Sequence, residues 1–251
     1  MRYFLNISFT GTGYHGWQAQ SNADNTVQGI CKSAMEKILG HPVNLMGCGR
    51  TDTGVHAEEF FAHFDTDNKN LVKDKRDWLY KFNSVLPFTI AVNDILAVKE
   101  NANARFNAAS RTYKYVITTR KDPFLLNFSL FFPYALDVVK MNEACKKLKE
   151  FKEFSSFKKS NTQNKTDTCT ISHAAWKKEG HTLVFTITAD RFLRNMVRAI
   201  VGTMLAVGNG KCTVDDFCRI IESKNRSRAG TSVLASGLYL TKIEYPKAVF
   251  E

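Results

Sequence analysis

The order of predicted strands and helices constrains the fold of this chain more than any single motif does. Alternating apolar residues predict strands, and apolar residues at three- and four-residue spacing predict helices. The first set comprises strands over 3–9, 43–46, 59–64 and 90–98 and helices over 26–39 and 74–85. The resulting order, β-α-β-β-α-β, is that of the split-βαβ, ferredoxin-like motif.

The same order of elements returns in the second part of the chain. Its predicted elements are strands over 112–118, 171–176, 183–188 and 238–243, helices over 137–148 and 192–207, and an extra helix over 214–221. We therefore predict an α+β fold of two ferredoxin-like (split βαβ, RRM-like) halves, with mainly antiparallel sheets flanking a central basic cleft. A polar, small-residue stretch near 101–106 predicts domains over 1–105 and 106–251.

Charge is the unusual feature of the composition. The 251 residues include 35 Lys and Arg against 24 Asp and Glu, a net charge of +11. This excess favours a polyanionic partner, nucleic acid first, although some globular proteins are simply basic. Six cysteines without a C-x-x-C pair, a strand-like N-terminus and an apolar segment over 199–207 too short to cross a bilayer predict a soluble, cytoplasmic protein without a membrane partner.

The stretch Gly47–Ala57, with the sequence GCGRTDTGVHA, links two predicted strands. Its three glycines allow a sharp turn and close approach of the backbone to a ligand. Asp52 at the tip of that turn is the candidate catalytic group, and Arg50 can keep its carboxylate ionised or hold a phosphate. An Asx-turn role for Asp52 is about equally consistent with the local sequence.

Basic residues recur at helical spacing near the C-terminal half's long predicted helix. Arg191, Arg194 and Arg198 stand at i, i+3 and i+7, which would place them on one helical face. Two of them would lie where the helix dipole disfavours cations, so an anion such as RNA phosphate or Asp52 should offset them. A solvated basic face is the alternative.

Basic and aromatic residues are interspersed over 105–115. Arg105 and Arg111 supply cations, and Tyr113 supplies a flat ring that suits stacking on an unpaired base. Tyr115 shares the face of Tyr113, and a half-buried sheet position is an equally good interpretation for it.

Metal and cofactor signatures are absent from the sequence. His56, His63, Asp65 and Asp67 do not share the spacing of a metal motif, and surface or core positions are the better interpretation. The chain also has no P-loop, dinucleotide fingerprint or nucleophile elbow. We predict neither a metal nor a cofactor.

Four motifs, in this order along the chain, resemble the signatures of the TruA-type tRNA pseudouridine synthases. They are GYHGWQAQ with TVQ over 13–28, GCGRTDTGVHA over 47–57, RFNAASRTYKY over 105–115 and FLRNMVRAIVGT over 192–203. The resemblance covers nearly the whole chain. It differs from the usual family pattern at Thr10, at Thr53 and in the proline-free segment 234–236.

The resemblance implies a role for each matching residue. Asp52 matches the essential aspartate, Arg198 the basic residue that pairs with it, and Arg50 an arginine that helps hold the displaced nucleotide. Tyr113 matches the tyrosine that stacks under the target uracil, and Leu238 a wall of the pocket. Arg50 and the further arginines Arg105, Arg111, Arg191 and Arg194 are candidate contacts for RNA.

The function implied is isomerisation of uridine to pseudouridine at positions 38–40 of the tRNA anticodon stem-loop, by a homodimer working without metal or cofactor. A non-catalytic RNA-binding module or RNA chaperone is the alternative, because ferredoxin-like folds serve that role too. A metal-dependent nuclease is a more distant one.

Overall fold

The computed structural model describes residues 1–20, 23–160 and 166–250. It is a mixed α/β fold whose strands pair mainly antiparallel. The strands are β1 (Arg2–Phe9), β2 (Met46–Gly47), β3 (His56–Asp65), β4 (Ile90–Val98), β5 (Ser110–Thr118), β6 (Leu130–Phe131), β7 (Ile171–Glu179), β8 (Thr182–Ala189) and β9 (Leu238–Glu244). The α-helices in the described part are α1 (Val27–Leu39), α2 (Lys75–Val85), α3 (Val138–Leu148), α4 (Met196–Gly208) and α5 (Val214–Glu222). The class predicted from the sequence is therefore confirmed.

Contacts divide the chain into two compact units. Unit 1 comprises Met1–Ala109 with Tyr239–Glu251, and unit 2 comprises Ser110–Leu238. The last strand groups with unit 1 because β9 pairs with β3, His56 opposite Tyr239. The predicted division between residues 105 and 106 stays a prediction about domains.

Unit 1 is built on β1, which pairs antiparallel with β3 on one side and with β4 on the other. The other edge of β3 pairs with β2 antiparallel and with β9 parallel. Aromatic side chains fill the interior, with Phe4, Trp17, Phe60, Phe64 and Phe82 fully buried. Burial of rings this large is the main stabilising contribution of such a core.

Unit 2 carries an antiparallel sheet of β5, β8 and β7, with β6 parallel to β5. Helix α4 is apolar almost all round, as expected for a helix enclosed by protein. In the core of unit 2, the rings of Trp176 and Phe185 stack with their centres 4.9 Å apart. Trp176 Nε1–H also points at Sδ of Met204 on α4, 3.2 Å away.

Helix α1 follows its sequence signals closely. The Thr26 hydroxyl accepts a hydrogen bond from Gly29 N–H, and Gly40 ends the helix with a φ of 75°. A left-handed residue at this position is most easily supplied by glycine. Both predicted helix boundaries are confirmed.

The strand predicted over 43–46 is wrong in extent, since β2 contains Met46–Gly47 alone. Helix α1 uses the backbone groups that a longer strand would need. Glu36 Oε1 accepts from Val43 N–H (2.9 Å), and Gln28 Nε2–H donates to the Leu45 carbonyl (2.7 Å).

Helix α4 begins at Met196, four residues later than predicted. Asn195 lies in the left-handed region, with a φ of 67°, a conformation that asparagine tolerates better than most residues. Arg191 and Arg194 therefore precede the helix, while Arg198 is its third residue. The prediction that the three share a helical face is wrong, and the dipole argument for Arg191 and Arg194 fails with it.

Among the described residues, the helices are all too short or too polar to cross a bilayer.

Candidate active site

Asp52 lies in a tight loop of unit 1 between β2 and β3. Cys48 N–H donates to the Phe61 carbonyl (2.7 Å), which continues the strand pairing into the loop. Val55 N–H donates to the Asp52 carbonyl (3.1 Å), and Gly54 supplies the positive φ, 81°, that closes the turn. Asp52 is half-buried, whereas the neighbouring Arg50 is exposed.

A second loop of unit 1, over 11–18, holds the Asp52 loop from the side. Trp17 N–H donates to Thr51 Oγ1 (3.0 Å). At Gly16 the two backbones approach so closely that a Cβ would lie 2.2 Å from the Thr51 carbonyl oxygen. Gly16 thus lets one backbone approach another next to Asp52, whereas the close approach to a ligand was predicted for the glycines of the 47–57 stretch.

The far side of the Asp52 loop is fixed at Gly11. Gly11 N–H donates to His56 Nδ1 (3.1 Å), and a Cβ at Gly11 would lie 2.2 Å from the Val55 carbonyl oxygen. The buried His56 ring stacks on Tyr239, with centres 4.6 Å apart. Burial, with a smaller effect of the Glu58 charge, raises the pKa of Tyr239 to about 12, so this ring stays neutral beside His56. Since Nδ1 accepts a hydrogen bond, His56 is a structural part of the loop rather than a metal ligand through that atom.

Gln28 joins three segments behind the site. Its Oε1 accepts from Gln18 Nε2–H (2.7 Å) and Ala19 N–H (2.8 Å), while its Nε2–H donates to the Leu45 carbonyl. Trp17 stacks on Phe60 at 4.1 Å below the same loop. In the sequence, Gln28 is part of the TVQ motif but was assigned no role of its own.

In unit 2, Tyr113 and Arg111 lie on the first residues of β5, opposite the segment 187–192. Tyr113 is half-buried and meets the Phe192 ring edge to face, with centres 5.1 Å apart. Arg111 Nη1–H donates to the Asp190 carbonyl (2.9 Å), and Arg191 N–H donates to Asp190 Oδ1 (2.7 Å). The Arg111 side chain is therefore held at Asp190, the residue directly before Arg191.

Arg198 is held on α4 by the segment 229–234. Its Nε–H donates to the Val233 carbonyl (2.7 Å), and Val233 N–H donates back to the Arg198 carbonyl (3.3 Å). Tyr115 O–H donates to the Leu234 carbonyl (2.8 Å). Tyr115 is fully buried, so it is a core residue and not a stacking platform. This burial raises the pKa of Tyr115, partly offset by the Arg198 charge.

Two residues outside the sequence predictions fix the same segment. Arg226 donates to the Gly230 carbonyl (3.2 Å) and to Ser232 Oγ (2.9 Å), and Asn195 Nδ2–H also donates to Ser232 Oγ (2.6 Å). Nothing in the local pattern near Arg226 distinguishes it from the neighbouring basic residues, which explains why sequence reasoning missed it.

The remaining predicted site residues, Leu238, Arg194 and Arg105, lie on three separate segments of the chain. Leu238 is buried at the start of β9, and Arg194 is exposed with its carbonyl accepting from Lys159 N–H (3.0 Å). Arg105 is exposed on a turn of unit 1. Asp52 and Arg198 belong to different units, and their pairing stays a prediction.

The candidate metal ligands have other partners. His63 Nδ1 accepts from Ala104 N–H (3.2 Å), and Asp65 forms two hydrogen bonds with Arg2. The Arg2 guanidinium lowers the pKa of Asp65, and burial lowers the pKa of His63. Within residues 1–20, 23–160 and 166–250, no three His, Cys, Asp or Glu side chains are grouped so as to hold a metal ion.

Comparison with known proteins places the chain among RNA-modifying enzymes. The sequence model of a family described as tRNA pseudouridine synthase matches residues 144–246. The chain is 48% identical to tRNA pseudouridine synthase A of Parabacteroides distasonis over 249 residues, 99% of this chain and 98% of the relative. It is 48% identical to the protein of the same name from Bacteroides fragilis over 251 residues, 100% of this chain and 98% of the relative.

Among solved structures, a Cbf5–Nop10–Gar1 complex aligns over 95% of this chain and 48% of that one, with a TM-score of 0.40 and 12% identity. A match at this level adds nothing to the likeness in sequence.

Proposed function

The chain belongs to the tRNA pseudouridine synthase A family, and from that premise we propose that Asp52 is the residue with which it isomerises uridine in tRNA. The chain is an isomerase, and tRNA is its substrate. The alternative of a non-catalytic RNA-binding module is not favoured by relatives of this identity and coverage.

Isomerisation of uridine depends mainly on the accurate position of the catalytic carboxylate relative to the nucleoside. The C1′–N1 bond of uridine breaks, the base turns, and C5 of the base joins C1′, after which C5 loses its proton. A carboxylate beneath the nucleoside could attack the sugar or the base, or remove a sugar proton. All three routes require the nucleoside to leave its stack and reach the carboxylate.

The observation that carries the proposal is the double fastening of the Asp52 loop. The Trp17–Thr51 hydrogen bond and the close approach of Gly16 hold one side, and the Gly11–His56 hydrogen bond holds the other. A catalytic group must be held to within a fraction of an ångström, and rigid support of this kind provides that. An ordinary surface Asx turn has no need of it.

The supporting roles complete the proposal. Arg198 pairs with Asp52 and orients its carboxylate, and Arg50 holds the displaced nucleotide. Tyr113 stacks on the target uracil, and Leu238 forms a wall of the pocket. These roles rest on the family resemblance, together with the fastening of Arg198 to Val233 and the partial exposure of Tyr113.

The exposed and half-exposed arginines bind the phosphate backbone of the tRNA. We assign this role to Arg50, Arg105, Arg111, Arg191 and Arg194. Each phosphate contact releases counterions, so affinity for tRNA should fall steeply as salt is raised.

The finer architecture also belongs to the proposal. In unit 1 the pairings give the order β4-β1-β3-β2, which supports a ferredoxin-like half. A second such half, a basic cleft and domains over 1–105 and 106–251 rest on the order of the predicted elements, the net charge and the polar stretch near 101–106. A cytoplasmic location rests on the scattered cysteines and the absence of a membrane segment in the sequence. A homodimeric state rests on the family resemblance. Modification at positions 38–40 rests on it too.

The experiment that tests the proposal is tritium release from tRNA labelled at C5 of uridine. Asp52→Ala should abolish release while tRNA binding persists. Release near the wild-type rate would exclude Asp52 as the catalytic residue. Chemical mapping of pseudouridine in the same tRNA then identifies the positions, and modification outside 38–40 would overturn that part of the proposal.

A further inference from the structure

The turn over 103–107 in unit 1 is an unusually well-fixed surface feature. Asn103 Oδ1 accepts from Arg105 N–H (2.9 Å) and Phe106 N–H (3.1 Å). Asn107 Oδ1 accepts in turn from Asn103 N–H (2.6 Å), and Asn107 N–H donates to the Asn103 carbonyl (3.0 Å). Four hydrogen bonds within five residues leave the backbone little freedom.

The turn is also anchored to the core of unit 1. Ala104 is buried, its N–H donates to His63 Nδ1, and its carbonyl accepts from Tyr245 O–H (2.6 Å). Arg2 Nη1–H donates to the carbonyl of Ala102 (2.9 Å), the residue directly before the turn. These bonds hold the backbone from which the next two side chains, Arg105 and Phe106, project.

Those two side chains are a cation and an aromatic ring. Phe106 is 75% exposed, and the Arg105 guanidinium lies 5.4 Å from the centre of its ring. Single exposed apolar residues are normal and need no explanation. Phe106 differs from them because its ring is held on a fixed turn beside a guanidinium. Trp78, with the Lys81 ammonium 4.5 Å from its ring centre, is a similar pair but is less exposed.

We propose that Phe106 is a stacking platform for an unpaired base of the bound tRNA, with Arg105 beside it on the phosphate backbone. Bases stack on aromatic faces whatever their sequence, and a nearby guanidinium adds electrostatic attraction. Because the backbone of the turn is already fixed, binding has only the side chains of Arg105 and Phe106 left to order. The inference rests on the proposed function for the identity of the RNA.

The test compares three substitutions of Phe106 by measuring the dissociation constant for an unmodified tRNA transcript. Phe106→Ala should raise it about 5- to 150-fold, the usual effect of removing one base–aromatic stack. Phe106→Leu should lose most of the affinity as well, because it keeps apolar area but not the flat ring, whereas Phe106→Trp should bind at least as tightly as wild type. Equal binding by Phe106→Ala and wild type would overturn the inference.

The control is Phe124→Ala, which removes a ring that is 88% exposed on unit 2. It should bind tRNA within about twofold of wild type, and an effect as large as that of Phe106→Ala would mean that the loss is general to exposed apolar residues. The salt dependence of binding should keep its slope in Phe106→Ala, since a neutral ring releases no counterions. Unchanged melting of Phe106→Ala separates lost contact from lost structure, and a large fall in its melting temperature together with a changed salt slope would count against the platform. Wild-type protein that made no pseudouridine in this transcript would instead refute the proposed function.

Discussion

Substitution of Gly16 by alanine tests whether the loop over 11–18 positions Asp52. An added Cβ would lie 2.2 Å from the Thr51 carbonyl oxygen, whereas carbon–oxygen contacts settle at about 3.3–3.6 Å. The Thr51–Asp52 backbone must therefore retreat by about 1 Å. A misplacement of about 1 Å at a reacting group can lower its rate about 100-fold.

Gly13→Ala is a matched control because Gly13 has the same φ as Gly16, +83°, with nothing within 4 Å of its added Cβ. Both substitutions incur the left-handed backbone cost of about 1 kcal/mol. Gly16→Ala should lose a further ~1–3 kcal/mol of stability from overpacking. The difference between the two variants isolates the close approach to Thr51.

The assay is single-turnover tritium release at saturating enzyme, with urea unfolding alongside. We expect Gly16→Ala to react about 100-fold more slowly than Gly13→Ala while binding tRNA equally well. Equal rates in the two variants would refute the argument that this contact positions Asp52.

Two further predictions follow from buried titratable groups. Because burial lowers the pKa of His63, the unfolded chain binds more protons on the acid side; stability should be fully present above about pH 6.5 and decrease as pH falls through the folded-state pKa. Urea midpoints at pH 7.5 and 5.5 should differ less in His63→Gln than in wild type, and an unchanged difference would contradict this. Burial raises the pKa of the Cys31 and Cys145 thiols to about 12, so a thiol reagent at pH 8 should modify half-exposed Cys212 and Cys218 well before them. Labelling of Cys31 or Cys145 as fast as the other two would show that the core opens readily.

Sequence patterns predicted elements well where one local signal decides. The cap at Thr26 and the stop at Gly40 define α1, and Gly180, with a φ of 60°, joins β7 to β8 between the two strands predicted over 171–176 and 183–188. Such signals act within a few residues and need no knowledge of the tertiary structure.

Patterns failed where distant groups compete for the backbone. The apolar run over 43–46 has strand composition, but Glu36 and Gln28 on α1 take its hydrogen-bonding groups. The competing groups on α1 are brought to this run by the tertiary structure.

Upstream of α4 the cause is local. Helical spacing continues there, yet Asn195 adopts a left-handed backbone conformation and Asp190 Oδ1 accepts from the Arg191 N–H.

The glycines and the lone aspartate allowed the candidate site to be located from the sequence. The residues that hold the Asp52 loop in place could not be identified in this way. Asp52 could be named because an acid among glycines, an arginine and threonines is an unusual composition. The contacts of Thr51 with Trp17 and of Gly16 with the Thr51 backbone join residues more than 30 positions apart. Periodicity carries no information on pairs at that separation.

The proposed function depends most on the carboxylate of Asp52. The substitution Asp52→Asn tests this role directly because the amide has nearly the same shape and no charge. Single-turnover tritium release and tRNA affinity should be measured on the same preparation, with wild type beside it. We predict no detectable release and a dissociation constant within about threefold of wild type, since the loop and its fastenings are unchanged. Release within about tenfold of the wild-type rate would show that the chemistry is performed by another group.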